Sequence, residues 1–291
     1  MTLEKLSPCK VNLVLNILGK RADGFHELET LMHPVRLFDR LTFDRAGSTV
    51  QLSCSEPSLP VDSRNLVYRA AAAFLEKARI KDGVRLHLEK HIPMAAGLGG
   101  GSGNAATTLL GLNELFGAPL SGGELHEIAA GLGSDIPFFL QERPALATGR
   151  GEKVESLEPF PVLRGCCWIL IHPGFGIATA WAYKELARFP EALQGRPGRA
   201  AALARRLRGG DLAGACAELY NSLEAPALDK YPVLALYQEF FRKHGALGAL
   251  MSGSGSTTFA LMPDPETANG VLEKFRSSFG TAVWASVVAI T

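Results

Sequence analysis

The run Pro93-Met94-Ala95-Ala96-Gly97-Leu98-Gly99-Gly100-Gly101-Ser102-Gly103 limits more narrowly than any other what this 291-residue chain can form. Glycine loses more conformational freedom on folding than any other residue, so five glycines packed this closely need a reason. The segment before it, Val84 to Lys90, alternates apolar and polar residues as a strand with one wet face does. Regular helix is expected only from about Asn104 to Phe116, with the glycines before it irregular. Glycines at such a junction let the backbone approach a ligand, and a helix start offers unpaired N–H groups and the positive end of its dipole. The pattern therefore points to phosphate binding by Gly97, Gly99, Gly100, Gly101 and Gly103, with Ser102 adding a hydroxyl to a phosphate or a metal ion.

Two common phosphate motifs are excluded. No lysine follows the glycines, so the Walker pattern is absent. Gly101 to Ala106 matches the dinucleotide fingerprint GxGxxA, but the following helix runs into a second helix rather than a strand ending in an acidic residue.

Composition sets the frame. The chain is long for one compact domain, and 47% apolar with 20% charged residues is ordinary for a globular protein. A net charge of +1 provides no global field for nucleic acid or an anionic membrane. No stretch approaches the length of a membrane span and the first residues lack a signal-peptide core, so a cytoplasmic address is expected. The five cysteines form no metal or disulfide spacing, and Cys166-Cys167 in the run CCWILI read as buried thiols.

Strands are expected at Val11 to Leu18, Arg36 to Phe43, Ala145 to Thr148, CCWILIHP, Ala246 to Met251, Thr257 to Leu261 and the C-terminus. Helices are expected at Asn65 to Lys77, from the capping box Ser121-x-x-Glu124 to Leu132, and at about Glu266 to Phe279. Four more lie at about Thr179 to Arg188, Ala200 to Leu207, Leu212 to Asn221 and Pro232 to His244. Pro159 and Pro161 mark a boundary near Glu158, giving domains 1–158 and 159–291. The mixed order argues an α+β fold.

Three further features bear on chemistry. Asp135, followed by the apolar run Ile136 to Leu140, is either a helix cap or a carboxylate at a pocket edge. Lys10, set in an apolar strand, needs a carboxylate or phosphate partner. His87, Glu89 and His91 share the wet face of a strand, and Arg196 to Arg208 is periodic with Ala and Leu; both read as solvated surface.

These residues resemble the GHMP kinase superfamily. Its three landmarks are similar to Ser7-Pro8-Cys9-Lys10-Val11-Asn12-Leu13, to Pro93 through Ala106, and to Met251-Ser252-Gly253-Ser254-Gly255-Ser256. Gly19 through Leu28, Gly133 through Phe139, Ala147 through Glu152 and His172-Pro173-Gly174 narrow the likeness to the branch that phosphorylates a cytidine diphosphate-linked methylerythritol in non-mevalonate isoprenoid synthesis. The resemblance implies a two-domain α+β fold, with an N-terminal ribosomal-protein-S5-domain-2-like ATP-binding domain and a C-terminal ferredoxin-like α/β sandwich domain.

It further implies transfer of the γ-phosphoryl of ATP to a tertiary hydroxyl, with Mg²⁺ bridging the phosphates and Ser102 at the metal. By resemblance Asp135 is the catalytic carboxylate and Lys10 steadies the developing charge. Pro93, Gly97, Leu98, Gly99, Gly100, Gly101, Ser102 and Gly103 line the ATP phosphates, and Asn65 and Lys90 lie at the adenine. Asn12 and Thr179 join the substrate site, Phe25 and Tyr183 stack on the cytosine, and His26 bonds to its edge. Partners are then this one small molecule and ATP, with no nucleic acid or membrane, in a monomer or homodimer.

The chain departs from the family pattern at Phe25 for Tyr, at Cys9 for Ala, at Gly103 for Ser, and in the swapped placing of Phe and Tyr at the stacking site. Alternatives are a GHMP kinase for mevalonate, homoserine or a sugar, a non-catalytic relative, a GHMP-type decarboxylase and a dinucleotide oxidoreductase. A non-catalytic relative is expected to have lost Lys10 or Asp135, and both are present.

Overall fold

A computed structural model describes residues 2–290. The chain divides into two compact units that share its length in alternating segments. The first comprises residues 1–9, 37–93 and 99–142, and the second residues 10–36, 94–98 and 143–291. Strands β1 (Leu3–Lys20) and β2 (His26–Arg45) each run from one unit into the other.

In the first unit β3 (Val50–Cys54) lies parallel to β4 (Val84–Glu89), and β4 pairs antiparallel with the C-terminal half of β2, Leu41 facing Leu88. Helix α1 (Leu66–Lys77) starts at Asn65, whose side chain accepts from the Val67 N–H. It buries Val67, Ala70, Ala71 and Phe74 at helical spacing. Helix α2 (Gly100–Leu115) packs against it, and α3 (Gly122–Leu132) opens with both bonds of the Ser121/Glu124 capping box. At Gly111 a Cβ would meet the Phe43 ring at 2.6 Å, so α2 lies as close to the sheet as its backbone allows.

The glycine segment is more regular than expected. Helix α2 begins at Gly100, not near Asn104, and Gly103 N–H already bonds to Gly99 C=O at 2.9 Å. Gly100, Gly101 and Gly103 thus lie in the opening residues of α2.

One buried carboxylate organises the polar interior of this unit. Asp39 is fully buried. Its Oδ1 accepts from the backbone N–H of His91 (2.7 Å) and Ile92 (2.9 Å), and its Oδ2 accepts from Lys90 Nζ and from Asn104 Nδ2 (2.9 Å). Asn104 in turn accepts from Lys90 Nζ at 3.2 Å and donates to Ser7 Oγ at 2.9 Å. The entry to the glycine segment and the first turns of α2 are thus tied to a single anion.

In the second unit β5 (Ala145–Gly149) pairs antiparallel with the first half of β2 and with β6 (Lys153–Ser156). The strand β7 (Cys167–His172) is buried along its whole length, as a central strand covered on both faces must be. After it come α4 (Thr179–Glu185), the short α5 (Pro190–Leu193), α6 (Arg199–Arg208), α7 (Leu212–Ala217), β8 (Tyr220–Asn221), α8 (Glu224–Lys230) and α9 (Val233–Lys243). Then β9 (Gly248–Met251), β10 (Thr258–Met262), α10 (Pro265–Phe279) and β11 (Trp284–Ala289) complete the chain. The antiparallel sheet has the order β11-β7-β10-β9. Cys167, Ile169 and Ile171 join the main core with α9 and α10 residues such as Phe241 and Phe275. From the alternate positions of β7 the Trp168 ring meets His33 and Phe259. The arginines of α6 lie outward of Ala200, Leu203, Ala204 and Leu207, as the periodicity requires.

The helix expected over Leu212 to Asn221 is shorter. It stops at Ala217, and Tyr220–Asn221 instead pairs parallel with Val14–Leu15 of β1. Strand β1 exceeds the expected Val11 to Leu18, because apolar content marks only its buried middle while its N-terminal end alternates. Strands β3 and β6 and helix α8 have no counterpart among the expected elements.

Glu224, on the first turn of α8, accepts at Oε1 from Met251 N–H (2.7 Å) and Gln238 Nε2 (2.5 Å). Burial pushes its carboxyl up to about 7, against the opposing pull of those hydrogen bonds and of Arg242.

Two stability predictions follow from these buried carboxylates. Asp39→Ala leaves the Lys90 ammonium buried without its carboxylate, and should lower urea-unfolding stability by about 3–5 kcal/mol; a loss under about 1 kcal/mol would mean the network relaxes around it. Glu224 is the reverse case of a raised carboxyl pKa. Its contribution is full below its unfolded value of 4.5 and is lost as pH rises through about 7. The stability of Glu224→Gln relative to wild type should therefore climb by about 3 kcal/mol between about pH 5 and about pH 8.5. A flat difference across that range would contradict the assigned burial.

Candidate active site

Lys10 is 2% exposed. Its backbone N–H bonds to Leu98 C=O at 2.9 Å, and its Nζ donates to Asn12 Oδ1 and to Gly97 C=O (3.1 Å). Asn12 is held by Thr30, which accepts from its Nδ2 at 2.8 Å and donates to Val14 C=O at 2.5 Å. Ser252 Oγ donates to the same Gly97 carbonyl at 2.9 Å. A cation taken this far from water demands acceptors, and three separate segments of the second unit supply or orient them.

Gly97 has φ of +77°, and a Cβ there would sit 2.0 Å from Ser252 C=O. No other residue fits. Thr257 N–H bonds to Ala96 C=O (3.1 Å) and Ser252 N–H to Thr257 C=O (2.9 Å), so the turn from Ser252 to Ser256 and the segment before Leu98 form one assembly within this unit. Leu98 itself is buried.

In the first unit Pro93 ends the approach to the glycines, and Gly99 stands at the N-cap of α2 with φ of +70° and no side chain to cap it. The N–H groups of Gly100, Gly101 and Ser102 therefore occupy the first turn without a capping acceptor from residue 99. Such a helix start favours an anion. Ser102 is half-buried on that turn. Gly103, which departs from the family's serine, has a local reason: a Cβ would lie 2.4 Å from Pro8 C=O. The backbone approaches too closely there for any side chain.

Asp135 is half-buried in the first unit, just before a 3-10 turn over Pro137–Leu140. The N-cap position of that turn is Ile136, which makes no side-chain capping bond. Asn65 and Lys90 both carry structural duties. Asn65 caps α1 and donates to Pro60 C=O at 2.8 Å, while Lys90 is held by Asp39 and Asn104.

In the second unit the His26 and Tyr183 rings meet at 5.0 Å with planes tilted by 35°. Burial, then the Lys20 charge, lowers the His26 pKa, which favours the neutral ring. Phe25 is instead covered on one side by the Arg150 guanidinium, 4.7 Å from its centre, and is otherwise half-exposed at 51%. Thr179 Oγ1 bonds to Ser254 Oγ at 2.9 Å, tying α4 to the second glycine turn.

Asp39 and Asn104 were not among the residues singled out from sequence. The signal for Asp39 existed: in β2 it shares the inward alternation with Leu41 and Phe43. His87 and His91 lie at the surface, bonded to Ser53 and Glu89, and no cluster able to hold a metal occurs among the described residues. Among those residues, too, no helix is long and apolar enough to cross a membrane. Cys166 and Cys167 are buried free thiols.

The geometry can now be set beside known proteins. The family model for the GHMP kinases N terminal domain matches residues 65–143, and that for the GHMP kinases C terminal matches residues 200–281. Over 285 residues the chain is 38% identical to the 4-diphosphocytidyl-2-C-methyl-D-erythritol kinase of Syntrophotalea carbinolica, covering 96% of each chain. It is 42% identical over 277 residues to the enzyme of that name from Pelotomaculum thermopropionicum, covering 95% of this chain and 94% of the other. A crystal structure of 4-(cytidine 5'-diphospho)-2C-methyl-D-erythritol kinase superposes with a TM-score of 0.77 at 36% identity, over 99% of this chain and all of the other. A homoserine kinase from Cytophaga hutchinsonii shares the fold at 19% identity, with a TM-score of 0.75 over 100% of this chain and 95% of the other. By near full-length likeness in sequence and fold, the chain belongs to the GHMP kinases and, within them, to the 4-diphosphocytidyl-2-C-methyl-D-erythritol kinase family.

Proposed function

We propose that this protein transfers the γ-phosphoryl group of ATP to the 2-hydroxyl of 4-diphosphocytidyl-2-C-methyl-D-erythritol, releasing ADP and the 2-phosphate. The observation that carries this is the near full-length likeness to kinases of that name, together with the presence of Lys10, Asp135, Phe25, His26 and Tyr183.

In this reading the Asp135 carboxylate accepts the proton of the 2-hydroxyl as its oxygen bonds to the γ-phosphorus and the bond from that phosphorus to the ADP oxygen breaks. Lys10 stabilises the charge that develops on the transferring group. Phosphoryl transfer offers the protein little covalent work, so positioning and electrostatics dominate. That suits a lysine whose ammonium is fixed by Asn12 and Gly97 rather than left mobile. The N–H groups of the first turn of α2 receive the ATP phosphates. Phe25 and Tyr183 stack on the cytosine, His26 bonds to its edge, and Asn12 and Thr179 line the same substrate.

The donor set suits Mg²⁺, which keeps several waters and is held largely by nucleotide phosphates rather than by a protein cage. Ser102, half-buried on the first turn of α2, would contribute its hydroxyl to it. When bound, the ion supplies neutralisation of phosphate charge.

Purified protein with MgATP and the cytidine diphosphate-linked alcohol should release ADP and add one phosphoryl group to the alcohol by mass. Asp135→Asn should lower kcat by about 10²- to 10⁴-fold, the range for a general base. Turnover confined to mevalonate, homoserine or a sugar would overturn the substrate assignment, and full activity of Asp135→Asn would overturn the role of that residue.

A further inference from the structure

Two polar residues outside the family landmarks bind the back of the second glycine turn. Asn221 is 3% exposed, and its amide is fully committed. Nδ2 donates to Met251 C=O (2.8 Å) and Gly253 C=O (2.7 Å), while Oδ1 accepts from Leu223 N–H (2.9 Å). Glu224 takes the Met251 N–H at 2.7 Å. Behind Glu224 stands Gln238, which donates to it at 2.5 Å and accepts from Arg242 at 2.9 Å; Arg242 also donates to Ala249 C=O at 2.8 Å. The backbone is therefore held on both sides of Ser252, at Met251 and at Gly253.

The other side of the turn faces Lys10. A Cβ on Gly253 would stand 3.3 Å from Lys10 Nζ, 3.4 Å from Asn12 Oδ1 and 2.9 Å from Gly97 C=O. Ser252 Oγ shares the Gly97 carbonyl with the Lys10 ammonium. A shift of the turn therefore moves the Ser252 hydroxyl on the Gly97 carbonyl, the same carbonyl that accepts from Lys10.

We propose that Asn221 and Glu224 are positioning residues for phosphoryl transfer, which set the Ser252–Gly253 turn and through it the orientation of the Lys10 ammonium. Neither touches substrate in this scheme. The inference rests on the proposed role of Lys10. It concerns the chemical step, because the turn acts on a group whose work is done in the transition state.

Asn221→Asp is the sharpest test, since it keeps the volume and turns a double donor into an acceptor facing two carbonyls. It should lower kcat by about 10- to 100-fold, the scale of a small misplacement of reacting groups. Glu224→Ala should act in the same direction, and Glu224→Gln, which keeps an acceptor for Met251 N–H, should restore kcat to within about threefold of wild type. KM for ATP should hold within about threefold throughout. If Asn221→Asp does not fold, as judged by circular dichroism and a thermal scan, the Glu224 pair decides the matter alone.

A residue that merely supports the fold would give similar values, so a double-mutant cycle with Lys10→Met is required. If the turn acts through Lys10, adding Asn221→Asp or Glu224→Ala to Lys10→Met should cost no more than about a further threefold. Multiplication of the full separate losses would overturn the inference, as would wild-type kcat in folded Asn221→Asp and Glu224→Ala. A Lys10→Met protein with undiminished kcat would instead overturn the role proposed for Lys10.

Discussion

The burial of the Lys10 ammonium is the constraint to which the second unit is built. A cation that retains 2% of its exposure must find acceptors at fixed places, and Asn12 and the Gly97 carbonyl provide two of them. Each acceptor then needs its own support. Asn12 relies on Thr30, and Thr30 on the Val14 carbonyl. Gly97 must present its carbonyl with a left-handed backbone that favours glycine, in a gap where Ser252 allows no Cβ. The two glycine-rich turns are thus less flexible loops than fitted pieces, their lack of side chains being what permits the contact.

The first unit solves a related problem with a carboxylate. Lys90 is nearly as buried as Lys10, and Asp39 answers it directly while collecting two backbone N–H groups at the entry to the glycine segment. Asn104 joins that cluster from the second turn of α2, and Gly103 beside it lets the helix backbone reach Pro8. The start of α2 is held by these contacts rather than by a capping side chain, which leaves its first N–H groups to receive an anion. Capping and anion binding compete for the same groups, and a glycine N-cap supplies no side chain to occupy them.

What could be read from the residues and what could not divide by range. Local signals spoke clearly: the Ser121 capping box, the helix running to Lys77, and the unbroken apolar run of β7. The start of α2 was misplaced because glycine content argues against helix on average, whereas these turns are held by distant partners, Asn104 by Asp39 and Ser7 and Gly103 against Pro8. Asp39 was legible in principle from the alternation of β2 but looked like one more charge in a polar-flanked strand. Asn221 and Glu224 were not legible. Their meaning lies in bonds to Met251 and Gly253, about 30 residues away, and nothing within their own segment distinguishes them from surface residues of a short helix. Phe25, His26 and Tyr183 carried a family pattern, but which ring meets which depends on tertiary placement that pattern does not contain.

If the ammonium of Lys10 is held for the transition state, its removal should separate binding from chemistry. Lys10→Met keeps a long apolar stem, so titration with MgATP alongside single-turnover phosphoryl transfer at saturating substrate reads the two quantities on one folded protein. ATP affinity within about threefold of wild type, with a single-turnover rate lowered by about 10²- to 10³-fold, is the expected result. An unchanged rate, or a loss of ATP affinity that accounts for the whole loss of rate, would contradict it.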